Sequence, residues 1–120
     1  MKYPLHEQVI QSDLDGVMKF IAQRAPLDEL DELGHSPLHW AVFGGYTDIV
    51  RALLQAGACP NVISTDGVTP KWHAEDFGLE DIIELLTVYG GKVQTDSNFN
   101  RAAFSVFLGA IGKNLPEEEV

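Results

Sequence analysis

Cysteine occurs once in the 120 residues, at Cys59, so no disulfide can form within the chain. A solitary thiol is the usage expected in a reducing compartment, here the cytoplasm. Long apolar runs are also missing. The longest near either end, AAFSVFLGAIG, is too short to span a bilayer. No charged-then-apolar leader follows Met1, and no secretory signal is expected. Cations are scarce: eight Lys and Arg stand against eighteen Asp and Glu, a formal net charge of −10. Nucleic acid and anionic lipid would repel such a chain, and a macromolecular partner is expected to be a basic protein. The same acids serve equally as a solubilising surface.

What is present is a repeat. Displaced by 33 residues, Ser36-Pro37 falls on Thr69-Pro70, Ala41 on Ala74, Gly45 on Gly78, Asp48-Ile49-Val50 on Asp81-Ile82-Ile83, and Leu53 on Leu86. Displaced the other way, Pro37-Leu38-His39 falls on Pro4-Leu5-His6. A period in this range marks stacked units, none able to bury its apolar face alone. In the middle unit Ser36 is placed to cap a helix, Pro37 occupies its first position, and Gly44-Gly45 stops it. A second helix starts at Thr47 or Asp48, sets Ile49, Val50, Leu53 and Leu54 on one face, and ends at Gly57. Asp66-Gly67 signals the turn to the next unit.

These residues resemble an ankyrin repeat. DELGHSPLHWAVFGGYTDIVRALLQAGACPN, residues 31–61, is closest to the family pattern, and the likeness runs over about 3–93. It implies an all-α ankyrin-repeat solenoid of helix–turn–helix units with β-turn fingers, in one domain. The expected repeats are about 1–33, 34–66 and 67–98, followed by a capping helix over 99–114 and an acidic tail at 115–120. The third unit departs from the family: TPKWH carries Lys71 and Trp72 where Leu and His are usual.

His35 and His39 stand four apart, a spacing that on one helical face can hold a metal. The resemblance implies another role for His39 and His6, which match the signature histidine that hydrogen-bonds within its turn and toward the neighbouring unit. His35 precedes the helix at a fingertip position. HSPLH lacks the internal Glu of a zinc-hydrolase helix, and Cys59 has no Cys or His near it in sequence, so no metal or other cofactor is expected. Paired acids such as Asp28-Glu29 and Glu80-Asp81 are unremarkable in so acidic a chain, and no phosphate loop or nucleophile elbow is present. Cys59 is expected to be partly buried, and His73 half-buried at the helix interface. An enzyme is not expected.

The family binds proteins on the concave side, with fingertips and first helices. That implies a partner-binding surface of Asp31, Glu32, Leu33 and His35, with Phe43 and Tyr46, in the middle unit. Thr65, Asp66 and Val68, with Asp76 and Phe77, extend it in the third. Tyr3, Glu7, Ile10 and Gln11 would add to it from the first unit, and Ser97, Asn98 and Arg101 would close the row. Phe43 and Phe77, read as one recurring repeat position, are the expected aromatic anchors, with packing between the helices as the alternative. Trp40 and Trp72 are expected in the core. Acids would steer a basic partner and aromatics hold it. Reversing the charges of Asp31 and Glu32 is expected to slow association and leave melting almost untouched.

Chain size, acidity and the repeats together resemble bacterial ankyrin-type immunity proteins. That likeness implies a monomer that occludes a basic, cytoplasm-acting toxin domain. The alternative is an adaptor or inhibitor of a regulatory protein such as a kinase or transcription factor. A small metal-dependent enzyme using His35, His39 and Cys59 is the third and weakest reading.

Overall fold

The computed structural model describes residues 3–96. Over that span the chain folds into three helix pairs: α1 (Pro4–Ile10) with α2 (Leu14–Ala22), α3 (Pro37–Gly44) with α4 (Thr47–Gln55), and α5 (Pro70–Phe77) with α6 (Glu80–Val88). The expected capping helix over 99–114, the tail and positions Ser97, Asn98 and Arg101 lie outside the described residues.

Each first helix opens on a proline, whose missing N–H would have had no helical partner there. Ser36 caps α3 reciprocally. Its hydroxyl accepts from the His39 N–H at 3.3 Å, while the His39 ring accepts from the Ser36 N–H at 3.4 Å. Gly45 and Gly78 end α3 and α5 in the left-handed region, at φ 71° and 69°. The first unit has no glycine at the corresponding places. Ser12 and Arg24, each 33 residues before a glycine, adopt φ 58° and 62° themselves. The repeat geometry is thus imposed on residues that resist it by about 1 kcal/mol each.

Within a pair the helices pack on each other, and between pairs first helices stack on first (α1, α3, α5) and second on second (α2, α4, α6). The core lies between the two rows. Val9, Val17, Ala41, Val42, Val50, Leu53, Ala74 and Leu86 are wholly inaccessible. The expected stripe on α4 is complete, since Ile49, Val50, Leu53 and Leu54 are all buried.

Between units the chain reaches out as a finger. In one, Asp31 N–H donates to His35 O and Gly34 N–H to Asp31 O; in the next, Ser64 N–H donates to Val68 O and Gly67 N–H to Ser64 O. Adjacent segments are laced together by Thr65 N–H to Gly34 O and Asp96 N–H to Gly67 O, both under 3 Å. At Gly34, with φ 85°, a Cβ would lie 2.4 Å from the Thr65 side chain, so glycine permits this approach. Sheet character among the described residues is limited to one bridge, Val68 with Thr95.

Candidate protein-binding site

The two signature imidazoles tie one unit to the next. His39 Nε2 donates to Val68 O at 3.1 Å, and since a carbonyl can only accept, Nδ1 is left to accept the Ser36 hydroxyl at 2.7 Å. His6 Nε2 reaches Glu29 O at 2.8 Å and His35 O at 3.1 Å. The third unit has Trp72 in place of this histidine, and there the Thr69 hydroxyl holds the following segment. It donates to Lys92 O at 2.5 Å and accepts from Gln94 N–H at 3.2 Å.

Three residues expected to face a partner are inside instead. His35 and Val68 are fully buried, and Phe43 is 4% exposed. His35 and Val68 occupy one repeat position, the last residue of each finger strand before the capping residue, and both side chains turn into the helix stack. His35 Nε2 donates to Asp66 Oδ2 at 2.8 Å, so the Asp66 carboxylate also points back toward the protein. Nor are Phe43 and Phe77 one recurring position: the 33-residue register pairs Phe43 with Asp76 and Phe77 with Gly44. Phe43 is wedged between α3 and α5, its ring 4.6 Å from that of His73, 5.0 Å from His35 and 5.4 Å from Trp40. Phe77 is half-buried on α5.

Tyr46 follows the far end of α3, where it lines a separate depression with Ser12, Leu14 and Thr47, away from the fingers. His73 is fully buried rather than half-buried. Cys59 is exposed, not partly buried, and its backbone N–H donates to Asp28.

Burial also sets the electrostatics of these rings. It pushes His39 down from 6.5 to about 3. His35 beside it adds to the fall, and the Val68 carbonyl with the carboxylates of Asp66 and Asp31 offsets part of it. His73 is likewise held well below the usual range, first by burial and then by His39 and His35. His35, His39 and His73 form a triangle with centroids 5.7 to 6.5 Å apart. Even so, among the described residues no three His, Cys, Asp or Glu side chains are arranged to hold a metal ion.

What remains open is a groove of about 330 Å³ between the first two units. It is lined by Tyr3, His6, Glu7 and Ile10 from α1 and its cap, by Asp31, Glu32 and Leu33 from the first finger, and by Trp40 from α3. The expected first-unit residues Tyr3, Glu7 and Ile10 are thus brought to the expected finger residues. Gln11, on the same helix margin, lies outside the groove lining, where its amide donates to Glu7 Oε1 at 3.3 Å. Leu33 is 54% exposed and Ile10 44%, which gives the rim an apolar edge. Thr65 is exposed on the next finger, and Asp76 is half-buried on α5. Sequence reasoning missed His6 as a lining group and weighed Trp40 toward the core over the binding face. Trp40 is buried as expected, yet one edge of its indole forms the groove wall.

Asp31 holds this wall. Its Oδ1 accepts from the N–H groups of Leu33 and His35 at 3.0 and 3.1 Å, and its Oδ2 accepts from Trp40 Nε1 at 2.7 Å. Asp31→Ala should therefore cost about 2 kcal/mol in urea unfolding, because three donors lose their acceptor and water restores only part of the loss. The expected innocence of Asp31 toward melting is corrected accordingly. Glu32, exposed beside it, keeps the role of a surface acid.

No helix among the described residues is long and apolar enough to cross a membrane. Residues 5–97 match a family model described as ankyrin repeats in three copies. Mouse protein phosphatase 1 regulatory subunit 27 is 36% identical over 81 residues, 68% of this chain and 52% of that protein. The human palmitoyltransferase ZDHHC13 is 41% identical over 64 residues, 52% of this chain but only 10% of that protein. The crystal structure of the human ASB11 ankyrin repeat domain superposes with a TM-score of 0.71 and 31% identity, over 81% of this chain and 44% of that one. The chain spans about half the length of the regulatory subunit, so the likeness is one of repeats and not of whole proteins. The three-unit stack, its signature histidines and these matches agree: the chain belongs to the ankyrin-repeat family.

Proposed function

We propose that this protein is a binding module acting as an adaptor or inhibitory subunit of a regulatory protein, which it engages across the fingers and first helices of its first two units. The observation that carries this reading is the groove itself. Exposed Leu33 and Ile10 stand beside the carboxylates of Glu7, Asp31 and Glu32 on a scaffold whose signature histidines hold the units together. Apolar contact area ringed by charge is how protein interfaces divide affinity from steering. Family membership supports binding over catalysis, and the regulatory-subunit name of one relative supports a regulatory partner. The net charge of −10 supports a basic one. Exposed, lone Cys59 supports a reducing, cytoplasmic setting.

A narrower reading, an immunity protein that occludes a basic toxin domain, rests on the chain's size, charge and repeats and uses the same face. Tagged capture from the host lysate at low and high salt, with mass spectrometry, separates the two. A stoichiometric partner retained by the wild type and lost by Leu33→Asp is the expected result. Its identity, toxin or signalling protein, selects the reading. A partner retained equally by Leu33→Asp would remove the groove from the interface.

A further inference from the structure

We infer that the groove between the first two units is a seat for an arginine side chain presented by an extended basic segment of the partner, with an adjacent apolar residue lying over Leu33 and Ile10. This deepens the functional reading above and rests on it for the partner's being a protein.

Three features of the groove converge on that occupant. First, its charge among the described residues has one sign: Glu7, Asp31 and Glu32 come from two different elements, and no lysine or arginine is among the described lining residues. Second, the innermost of these carboxylates is fixed. Asp31 is held by the Leu33 and His35 amides and the Trp40 indole, all neutral donors, so its position is set without its charge being cancelled by them. A carboxylate oxygen has more than one lone pair, and a guanidinium approaching from the groove adds a charge-assisted bond to those already made. Third, the walls are aromatic. Tyr3 packs edge-on against His6, with centroids 5.3 Å apart, and Trp40 also lines the groove. Planar, weakly hydrated guanidinium stacks on aromatic rings and can meet two carboxylates at once, whereas a strongly hydrated ammonium does neither as well. At about 330 Å³ the groove is at the small end of ligand cavities, suited to a side chain and its neighbour rather than to a large organic molecule.

The two tryptophans make the test self-controlled, because Trp40 lines the groove and Trp72 belongs to α5 in the third unit. ¹⁵N-labelled protein is titrated with acetyl-Ala-Arg-Leu-Arg-Ala-amide while both indole N–H resonances are followed. The Trp40 signal is expected to shift saturably and the Trp72 signal to stay. The lysine version of the peptide should bind at least about fivefold more weakly, and the glutamate version should move neither signal. Glu7→Gln combined with Glu32→Gln, which leaves the Asp31 scaffold intact, should weaken the arginine peptide about tenfold. Equal response to the glutamate peptide, or no Trp40 shift at millimolar arginine peptide, overturns the inference. Lysine binding equal to arginine overturns the guanidinium assignment. If the arginine peptide fails while Leu33→Asp still abolishes capture of a partner, the binding-module reading stands and this inference falls. Saturable arginine binding with no captured partner is the reverse case.

Discussion

Lowering the pH from 7 to 5 is expected to take about 2 kcal/mol from the stability of the folded chain through His39, with His73 adding to the loss in the same direction. Both rings are fully buried, and both are held below their ordinary range, His39 down to about 3. In the folded chain His39 stays neutral at pH 5, and burial holds His73 toward the neutral form as well. In the unfolded chain they take up protons as the pH falls below 6.5, so the unfolded state binds more protons and is favoured by acid. The His39 contribution is complete above 6.5 and is lost progressively as the pH falls toward 3, with a slope of about 1.4 kcal/mol per pH unit inside that window. His73 adds to the slope in the same direction.

The groups facing these rings do not relieve them. The Val68 carbonyl, Asp66 and Asp31 raise His39 only in part, and His35 acts against it. Carboxylates titrate in the same acid range, so the histidine share has to be isolated. Urea unfolding at pH 7, 6 and 5 of the wild type and of His73→Leu does this, because leucine keeps the site apolar and removes one proton. The variant should show a shallower loss of stability toward acid than the wild type. An unchanged slope would mean that His73 is protonated in the fold, or that carboxylates dominate the acid response.

Much of this architecture is legible in the sequence because it is made by local chemistry repeated three times. Ser36 and Pro37 start α3, Gly45 ends it, and the Ile49, Val50, Leu53, Leu54 stripe states which side of α4 faces inward. None of these needs knowledge of another unit. The fingers are different. Whether a finger residue points outward depends on its parity in a two-residue alternation and on the neighbouring unit that covers it. His35 looks polar and therefore exposed, but its repeat equivalent is Val68, and an apolar residue at that place is the available sign that the position faces in. Asp31 and Asp66 carry no mark in the sequence that separates an acid bonded to its own fold from one offered to a partner. The groove was partly legible. Its acids and apolar edge follow from the repeat map, whereas Trp40 as a wall follows only from its bond to Asp31, nine residues away.

Phe43→Ala should cost about 3 to 5 kcal/mol of folding stability, the range for emptying a buried aromatic site, without acting through a partner. Phe43 is the ring on which the second and third units meet. It touches Trp40 and His35 of its own unit and approaches His73 and Phe77 of the next, the last at 6.4 Å. In a stack where each unit contacts only its neighbours, removing that ring weakens one specific joint. The loss should therefore appear unevenly. The denaturant slope should fall if α5 and α6 detach before the rest, and hydrogen exchange should rise in those two helices before it rises in α1 and α2. Since small domains have only about 5 to 15 kcal/mol in total, the alanine variant can be largely unfolded. Phe43→Leu, which keeps most of the volume, should cost less than about 1.5 kcal/mol and remain measurable. Phe77, half-buried at the edge of the same cluster, should cost less than half as much on truncation to alanine. Unchanged stability of Phe43→Ala with weakened partner binding would return Phe43 to the interface. The reverse result would fix it as the wedge that makes two repeats fold as one body.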